Sequence, residues 1–370
     1  MIQKVKLKDI ALYSKGKQIN KEDLLDDGEY DYLNGGINPS GRTNKTNCEA
    51  NTITISEGGN SCGYINYMMY PFWCGAHCYY LYNTVENTKY LYYALKSQQN
   101  GIQNLRSGAC MPNIKKSDLG NLEILFDDDE HEQMRITNIL DNLGQIITYR
   151  KKELTKLDDL IKARFVEMFG DAVDNPMRWN KKQLQEIVTD DCTISYGIVQ
   201  TGDDQKDGVP VFRPVDIVNR IPKLEELKKT TEKISNKYKK TILKGREMLI
   251  TVRANIAETC IVGEEFKGCN VGRGIVPIRT KEDVMVLEFL KYILDSKHIN
   301  DDIKRKAKGI TLIQLNMQDL REIELIIPPI EKQKAYVQFA KQVDKSKVAV
   351  QKALDEAQLL FDSLMQEYFG

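Results

Sequence analysis

Residues 107–126 read SGACMPNIKKSDLGNLEILF, and residues 308–327 read KGITLIQLNMQDLREIELII. The stretches share a glycine at the second position, polar–apolar alternation, an Asp-Leu pair and a closing β-like run. Such a repeat is weighed before any motif, because it fixes how often one supersecondary unit occurs. It extends in both directions. YLYYALKS (90–97) is matched by FLKYILDS (289–296), and EMFG (167–170) by EYFG (367–370). More loosely, VKLKDIALYSKG (5–16) is matched by KQLQEIVTDDCTISYG (182–197). The order of elements occurs twice, so one half of the chain is a copy of the other.

C-terminal to each repeat runs a heptad pattern. In the first, Ile136, Leu140, Leu143, Ile147, Arg150, Leu154, Leu157, Ile161, Arg164 and Met168 follow alternating steps of four and three. Two hundred residues on stand Tyr336, Ala340, Val343, Lys347, Val350, Leu354, Ala357, Phe361, Leu364 and Tyr368. A 3.5-residue repeat held this long predicts helices that pack on each other. Each would span roughly 38 residues, or about 57 Å, too long to lie on a small domain without overhanging it. The charges at Arg150, Arg164 and Lys347 either set register or snorkel outward past their apolar stems.

The segments between the helices are β-rich. Residues 51–83 (NTITISEGGNSCGYINYMMYPFWCGAHCYYLYN) and 246–280 (REMLITVRANIAETCIVGEEFKGCNVGRGIVPIRT) alternate short apolar runs with Gly and Asn turns. Each follows a punctuated polar stretch, YLNGGINPSGRTNKT (32–46) or DGVPVFRPVDI (207–217). The 370 residues suffice for two cores. Fifty-three basic and 53 acidic side chains cancel, with net charges of 0, −2, +2 and 0 over 1–127, 128–170, 171–329 and 330–370. A polyanion partner would therefore have to be met by local patches. The start of the chain lacks a signal-peptide apolar core, and no run of about 18 apolar residues suggests a membrane span. Eight cysteines without scaffold spacing point to reduced thiols and a cytoplasmic protein.

With these elements in hand, the chain resembles the specificity subunit of type I restriction-modification systems over essentially its whole length. The resemblance rests on YLNGG…PSGR and ISEGGNSCGYI…PFWCGAHCYYL in the first copy and on the Trp179…Leu184-x-Glu186-Ile187 opening of the second. The Gly-x5-(Ile/Leu)-x3-Asp-Leu stretch and the Phe-Gly helix ends also carry it. It departs at LFDDDEHEQ (125–133), against IIPPIEKQ (326–333), and at Met111. The resemblance implies an α+β fold with two similar β-rich mixed target-recognition domains. They would be separated by two long helices packed as an antiparallel coiled coil, with an internal pseudo-twofold repeat. The expected parts are recognition domain 1 (1–128), a central spacer helix (129–170), recognition domain 2 (171–329) and a distal spacer helix (330–370). The resemblance further implies a non-catalytic DNA-binding subunit whose domains each read half of a bipartite target in double-stranded DNA. Its partners would be two adenine-N6 methyltransferase subunits and, in the full complex, restriction subunits. S-adenosylmethionine, ATP and magnesium would be bound only by those partners. The symmetric plan suits half-site reading.

Base edges are read mainly by Arg, Lys, Asn and Gln, whereas phosphate contacts position the protein. In the first domain the candidates are Asn34, Arg42, Asn44, Lys45, Asn60, Ser61 and Tyr64, on loops flanked by glycine. In the second they are Tyr196, Gln200, Arg213, Arg253, Asn255, Arg273, Lys308 and Gln314. For any one of them the plain alternative is a solvated or structural loop residue. KKTTEKISNKYKKTILKGR (228–246), with eight basic residues and the single acid Glu232, is a phosphate-facing surface or simply a solvated one.

The chain lacks the Asn/Asp-Pro-Pro-aromatic tetrapeptide expected of base-flipping adenine methylation. Pro328-Pro329 is its only such proline pair, and there is no Walker loop. Cys62, Cys74, His77 and Cys78 have no standard zinc spacing and read as small buried hydrophobes. Two other classes stay open. One is a magnesium-dependent nuclease built on Asp203, Asp204 and Asp207; the other is a coiled-coil assembly protein that does not read DNA.

Overall fold

The computed structural model describes residues 2–108, 112–217, 221–309 and 313–370. The repeat positions 109–111 and 310–312, including the Met111 departure, lie outside the described residues. Two compact units are present, Met1–Glu153 with Val350–Gly370, and Leu154–Ala349.

The first unit runs β1 (Ile2–Lys6), α1 (Leu7–Ile10), β2 (Leu12–Lys15), β3 (Tyr30–Leu33), β4 (Gly41–Thr43), β5 (Thr52–Ser56) and β6 (Ile65–Met68). It continues with β7 (Phe72–Cys74), β8 (Cys78–Tyr82), α2 (Thr88–Ser97), α3 (Gln99–Asn104), α4 (Lys116–Gly120), β9 (Glu123–Asp127) and the long α5 (Glu130–Phe169). Strands β1 and β9 form an antiparallel ribbon, and β2-β8-β5-β6 a four-stranded antiparallel sheet. A third sheet, β4-β3-β7, pairs β3 with β7 in parallel. Ile53 and Ile55 of β5 are fully buried in one core with Tyr90, Leu91, Ala94 and Leu95 of α2. Asn87 caps α2 by accepting from the Tyr90 N–H at 3.0 Å.

The second unit repeats this plan. It comprises β10 (Lys181–Gln183), α6 (Leu184–Ile187), β11 (Val209–Phe212), β12 (Lys228–Thr230), α7 (Glu232–Ser235), β13 (Glu247–Thr251) and β14 (Thr259–Val262). There follow β15 (Asn270–Val271), β16 (Ile275–Ile278), α8 (Leu287–Asp295), α9 (Lys297–Lys306), α10 (Met317–Arg321), β17 (Glu324–Ile326) and the second long helix α11 (Ile330–Phe369). The sheets correspond strand for strand: β10-β17, β14-β13-β16, and β12-β11-β15 with β11 and β15 parallel. Only the partner of β2 is reduced, to a single antiparallel bridge between Val188 and Thr280. There Asp190 and Asp191 turn aside to pair with Lys281 and Arg279.

Helices α5 and α11 pack together. In the first unit Ile136 and Leu140 share a core with Phe361, Leu364, Met365, Tyr368 and Phe369. In the second, Ile161, Phe165 and Phe169 share one with Tyr336, Val337, Ala340 and Val343. There Lys347 pairs with Asp158 at 2.6 Å and the Tyr336 hydroxyl donates to Ile161 O at 3.3 Å, so the helices run antiparallel. All the heptad positions of both helices are buried or half-buried. The three interrupting charges divide between the two expectations. Arg150 and Arg164 turn out to Glu153 and Glu167 on their own helix, whereas Lys347 bridges the pair.

Each long helix is pinned at its start by a buried glutamine. Gln333 is fully buried; its Nε2 donates to Pro328 O (2.8 Å) and Val284 O (3.0 Å), and its Oε1 accepts from Val286 N–H (2.9 Å). Gln133 repeats one arm, donating to Asp127 O at 2.6 Å. Gln333→Leu strands three backbone groups and is expected to cost about 1–3 kcal/mol in urea unfolding. A change within 0.5 kcal/mol would refute the pinning role.

Candidate nucleic-acid interface

Duplication builds one laced polar edge into each unit. In the first, Lys17 N–H donates to Cys74 O (2.9 Å), Gly75 N–H to Leu33 O (2.8 Å), Glu57 N–H to His77 O (2.9 Å) and Ile114 N–H to Glu57 O (2.9 Å). Asn113 is bridged twice, to Gly58 and to Ser107. The second unit makes each bond again. Ile198 N–H donates to Val271 O (2.8 Å), Gly272 N–H to Phe212 O (2.8 Å), Val252 N–H to Gly274 O (2.8 Å) and Leu315 N–H to Val252 O (2.9 Å). Gln314 is bridged to Arg253 and to Lys308. These bonds equate Asn34 with Arg213, Gly58 with Arg253, His77 with Gly274, Ser107 with Lys308 and Asn113 with Gln314. The backbone frame is held constant while the side chains on it differ.

The frame depends on a glycine at the same place in each copy. A Cβ on Gly16 would stand 1.9 Å from Cys74 O, and one on Gly197 1.9 Å from Val271 O. Gly197→Ala is expected to destabilise by about 1–3 kcal/mol. Gly144 of α5 has nothing within 4 Å of such a Cβ, so Gly144→Ala is expected to stabilise by about 0.5–1 kcal/mol. Thermal melts of the two variants should shift in opposite directions; a shared sign would contradict this reading.

The candidates named from sequence divide by position. Asn34, Asn60 and Ser61 stand on the first edge, where Asn34 Oδ1 accepts from His77 N–H (3.1 Å) and Ser61 Oγ donates to Gly35 O (2.5 Å). Tyr64 ends that loop with Lys96 Nζ 4.1 Å from its ring centroid. Arg42, on β4, and Asn44 and Lys45, just after it, lie apart from that edge. Arg42 Nε donates to Gly28 O (2.6 Å) and Nη2 to Glu29 O (3.1 Å); Asn44 Oδ1 accepts from Glu29 N–H (3.0 Å); Lys45 is exposed.

In the second unit Tyr196, Arg253, Lys308 and Gln314 are brought together, with Gln314 Nε2 donating to the Tyr196 hydroxyl at 2.7 Å. Arg273 is exposed between Gly272 and Gly274, Asn255 is exposed at the loop tip, and Gln200 is exposed two residues past the Ile198 bridge. Arg213 gives both arms of its guanidinium to Asp216, at 3.0 and 2.8 Å. Arg253 is the contrasting case, because its Nε is buried without a hydrogen-bond partner among the described residues. Residue type alone missed Asn113, His77 and Lys15 of the first edge. The 201-residue offset of the repeat already aligned Asn113 with Gln314.

The basic stretch 228–246 is partly committed to the fold. Lys228 Nζ donates to Gly202 O (2.8 Å), Lys244 pairs with Asp191, and Arg246 pairs with Glu282 and Glu288. Lys233, Lys237, Lys239 and Lys240 are exposed. Asp204 accepts from Lys229 N–H at 2.8 Å. Among the described residues no group of three or more His, Cys, Asp and Glu could hold a metal ion. Cys62 lies in the core of the first unit, and Cys74 and Cys78 share a small buried cluster with Cys48. Contacts with Cys48 and Cys78, together with burial, push the Cys74 thiol far up. Among the described residues no helix is long and apolar enough to cross a membrane.

The type I restriction modification DNA specificity domain family model matches residues 2–158 and 176–357. A Mycoplasma genitalium protein named as a type I specificity subunit is 41% identical over 148 residues, 37% of this chain and 38% of that one. The EcoBI type I restriction enzyme specificity subunit of Escherichia coli is 27% identical over 213 residues, 58% of this chain and 45% of that one. These matches span less than half the length of either relative. The crystal structure of a type I restriction-modification S subunit from M. genitalium superposes with a TM-score of 0.69 at 22% identity, covering 100% of this chain and 96% of that one. At that identity the likeness establishes the fold.

Proposed function

Because the chain belongs to the type I restriction modification DNA specificity family, we propose that its two units read the two halves of a bipartite sequence in double-stranded DNA. The observation that supports this most directly is the pair of laced edges. One backbone frame occurs twice, and it carries Gly58, Ser107 and Asn113 in one copy and Arg253, Lys308 and Gln314 in the other. Equal frames with unequal donors suit a protein that reads two different base sequences in one way.

In this reading residues 1–128 and 171–329 are the recognition domains. Residues 129–170 and 330–370 are the spacer helices, which set the distance between half-targets and offer docking surfaces to two adenine-N6 methyltransferase subunits. Restriction subunits join in the full complex. The chain contributes recognition, and the methyl donor, ATP and magnesium belong to its partners. A cytoplasmic location follows from that role.

Sequencing the methylated adenines of cells that express this chain with a methyltransferase partner tests the reading. A bipartite motif with a fixed gap is expected. A contiguous motif would remove the two-reader assignment, and an absence of sequence preference in gel shifts of the complex would favour an assembly role.

A further inference from the structure

We infer that the carboxamide at the doubly bridged position, Asn113 in one unit and Gln314 in the other, reads an adenine in each half-target. The inference rests on the DNA-reading role just proposed and names the base that this position takes. The position is held in the same way in both units. Asn113 is bridged to Gly58 and Ser107, and Gln314 to Arg253 and Lys308, so the backbone is held from both sides. Around it the copies have diverged, with Gly58 against Arg253, Ser107 against Lys308 and His77 against Gly274, yet both keep a carboxamide.

Gln314 is also oriented. The Tyr196 hydroxyl donates to Leu315 O at 3.5 Å and therefore accepts from Gln314 Nε2 at 2.7 Å. One N–H and the Oε1 acceptor then stand without a protein partner among the described residues. A donor and an acceptor side by side on one planar group match adenine in the major groove, where N7 accepts and the N6 amino group donates. Tyr196 is thus a positioning residue, fixing which end of the amide faces which atom. In the first unit Asn113 is exposed, and its Oδ1 accepts from Ser107 Oγ at 3.3 Å while Nδ2 has no partner among the described residues.

The test uses the full chain with its methyltransferase partner and fluorescence anisotropy on duplexes carrying the methylated motif, each with one base pair changed. Gln314→Ala is expected to reduce the preference for A·T about 5- to 150-fold at one position of one half-target. Asn113→Ala is expected to do so in the other half. Replacing that adenine by 7-deazaadenine should reproduce the loss with the unaltered protein. Gln314→Glu keeps the shape and removes the donor, so preference there should move toward C·G, whose cytosine amino group a carboxylate accepts. Tyr196→Phe should blunt discrimination at the same position. If Gln314→Ala weakens motif and random duplex by one factor, or Gln314→Glu leaves the A·T preference intact, the assignment is wrong while half-site reading stands. If the unaltered complex does not distinguish motif from random duplex, both fall.

Discussion

Replacing Phe169 with alanine is expected to lower the stability of the Leu154–Ala349 unit by about 3–5 kcal/mol. The ring is fully buried, with centroids 5.2 Å from Phe165, 4.8 Å from Phe289 and 5.6 Å from Tyr336. All three contacts are edge-on or tilted, a geometry worth more than area alone. No rearrangement of one neighbour fills the gap, since Phe289 and Tyr336 are themselves 6.0 Å apart and locked edge to face. Guanidinium unfolding followed by near-ultraviolet circular dichroism reads the loss. Val166, 57% exposed one turn away, supplies the control, and Val166→Ala should stay within about 0.5 kcal/mol. A Phe169→Ala cost below 1 kcal/mol would show that α5 and α11 are not joined through this cluster.

The second large effect concerns Arg253. Its Nε is buried with no hydrogen-bond partner among the described residues, unlike Arg42 and Arg213, whose guanidiniums are taken up by Gly28, Glu29 and Asp216. A guanidinium held by no acceptor among the described residues is the one whose Nη groups can turn to the O6 and N7 acceptors of guanine, a contact worth about 1–3 kcal/mol. Arg253→Ala is therefore expected to weaken recognition of one half-target about 5- to 150-fold and to leave the other unchanged. Duplexes altered in one half at a time make the comparison. Equal loss on both would place Arg253 outside direct readout.

The long helices were legible because a 3.5-residue period survives 33 residues in each copy, and the duplication because its elements recur in order. What the heptads hid is the width of the buried face. Phe165 and Phe169 fall one place past the seam positions Arg164 and Met168, yet both are buried. In its second half α5 serves α8 as well as α11, through the 5.9 Å stacking of Phe165 on Phe289. A two-helix seam is narrower than the stripe such a helix needs. The parallel pairings of β3 with β7 and β11 with β15 were equally invisible, since they join strands far apart in sequence. Around the laced edges, residue type picked out arginines but not their acceptors. Asp216, three residues from Arg213, decides that guanidinium's fate through a turn geometry that composition does not express.

The first unit also takes Val350–Gly370 into itself, and Phe361, Leu364 and Phe369 close its interior, whereas Leu154–Ala349 is one unbroken stretch. During synthesis, when domains usually mature in the order they emerge, the half made first must wait for a segment, Val350–Gly370, that is made only after the whole of the second unit. The half made second can finish before it.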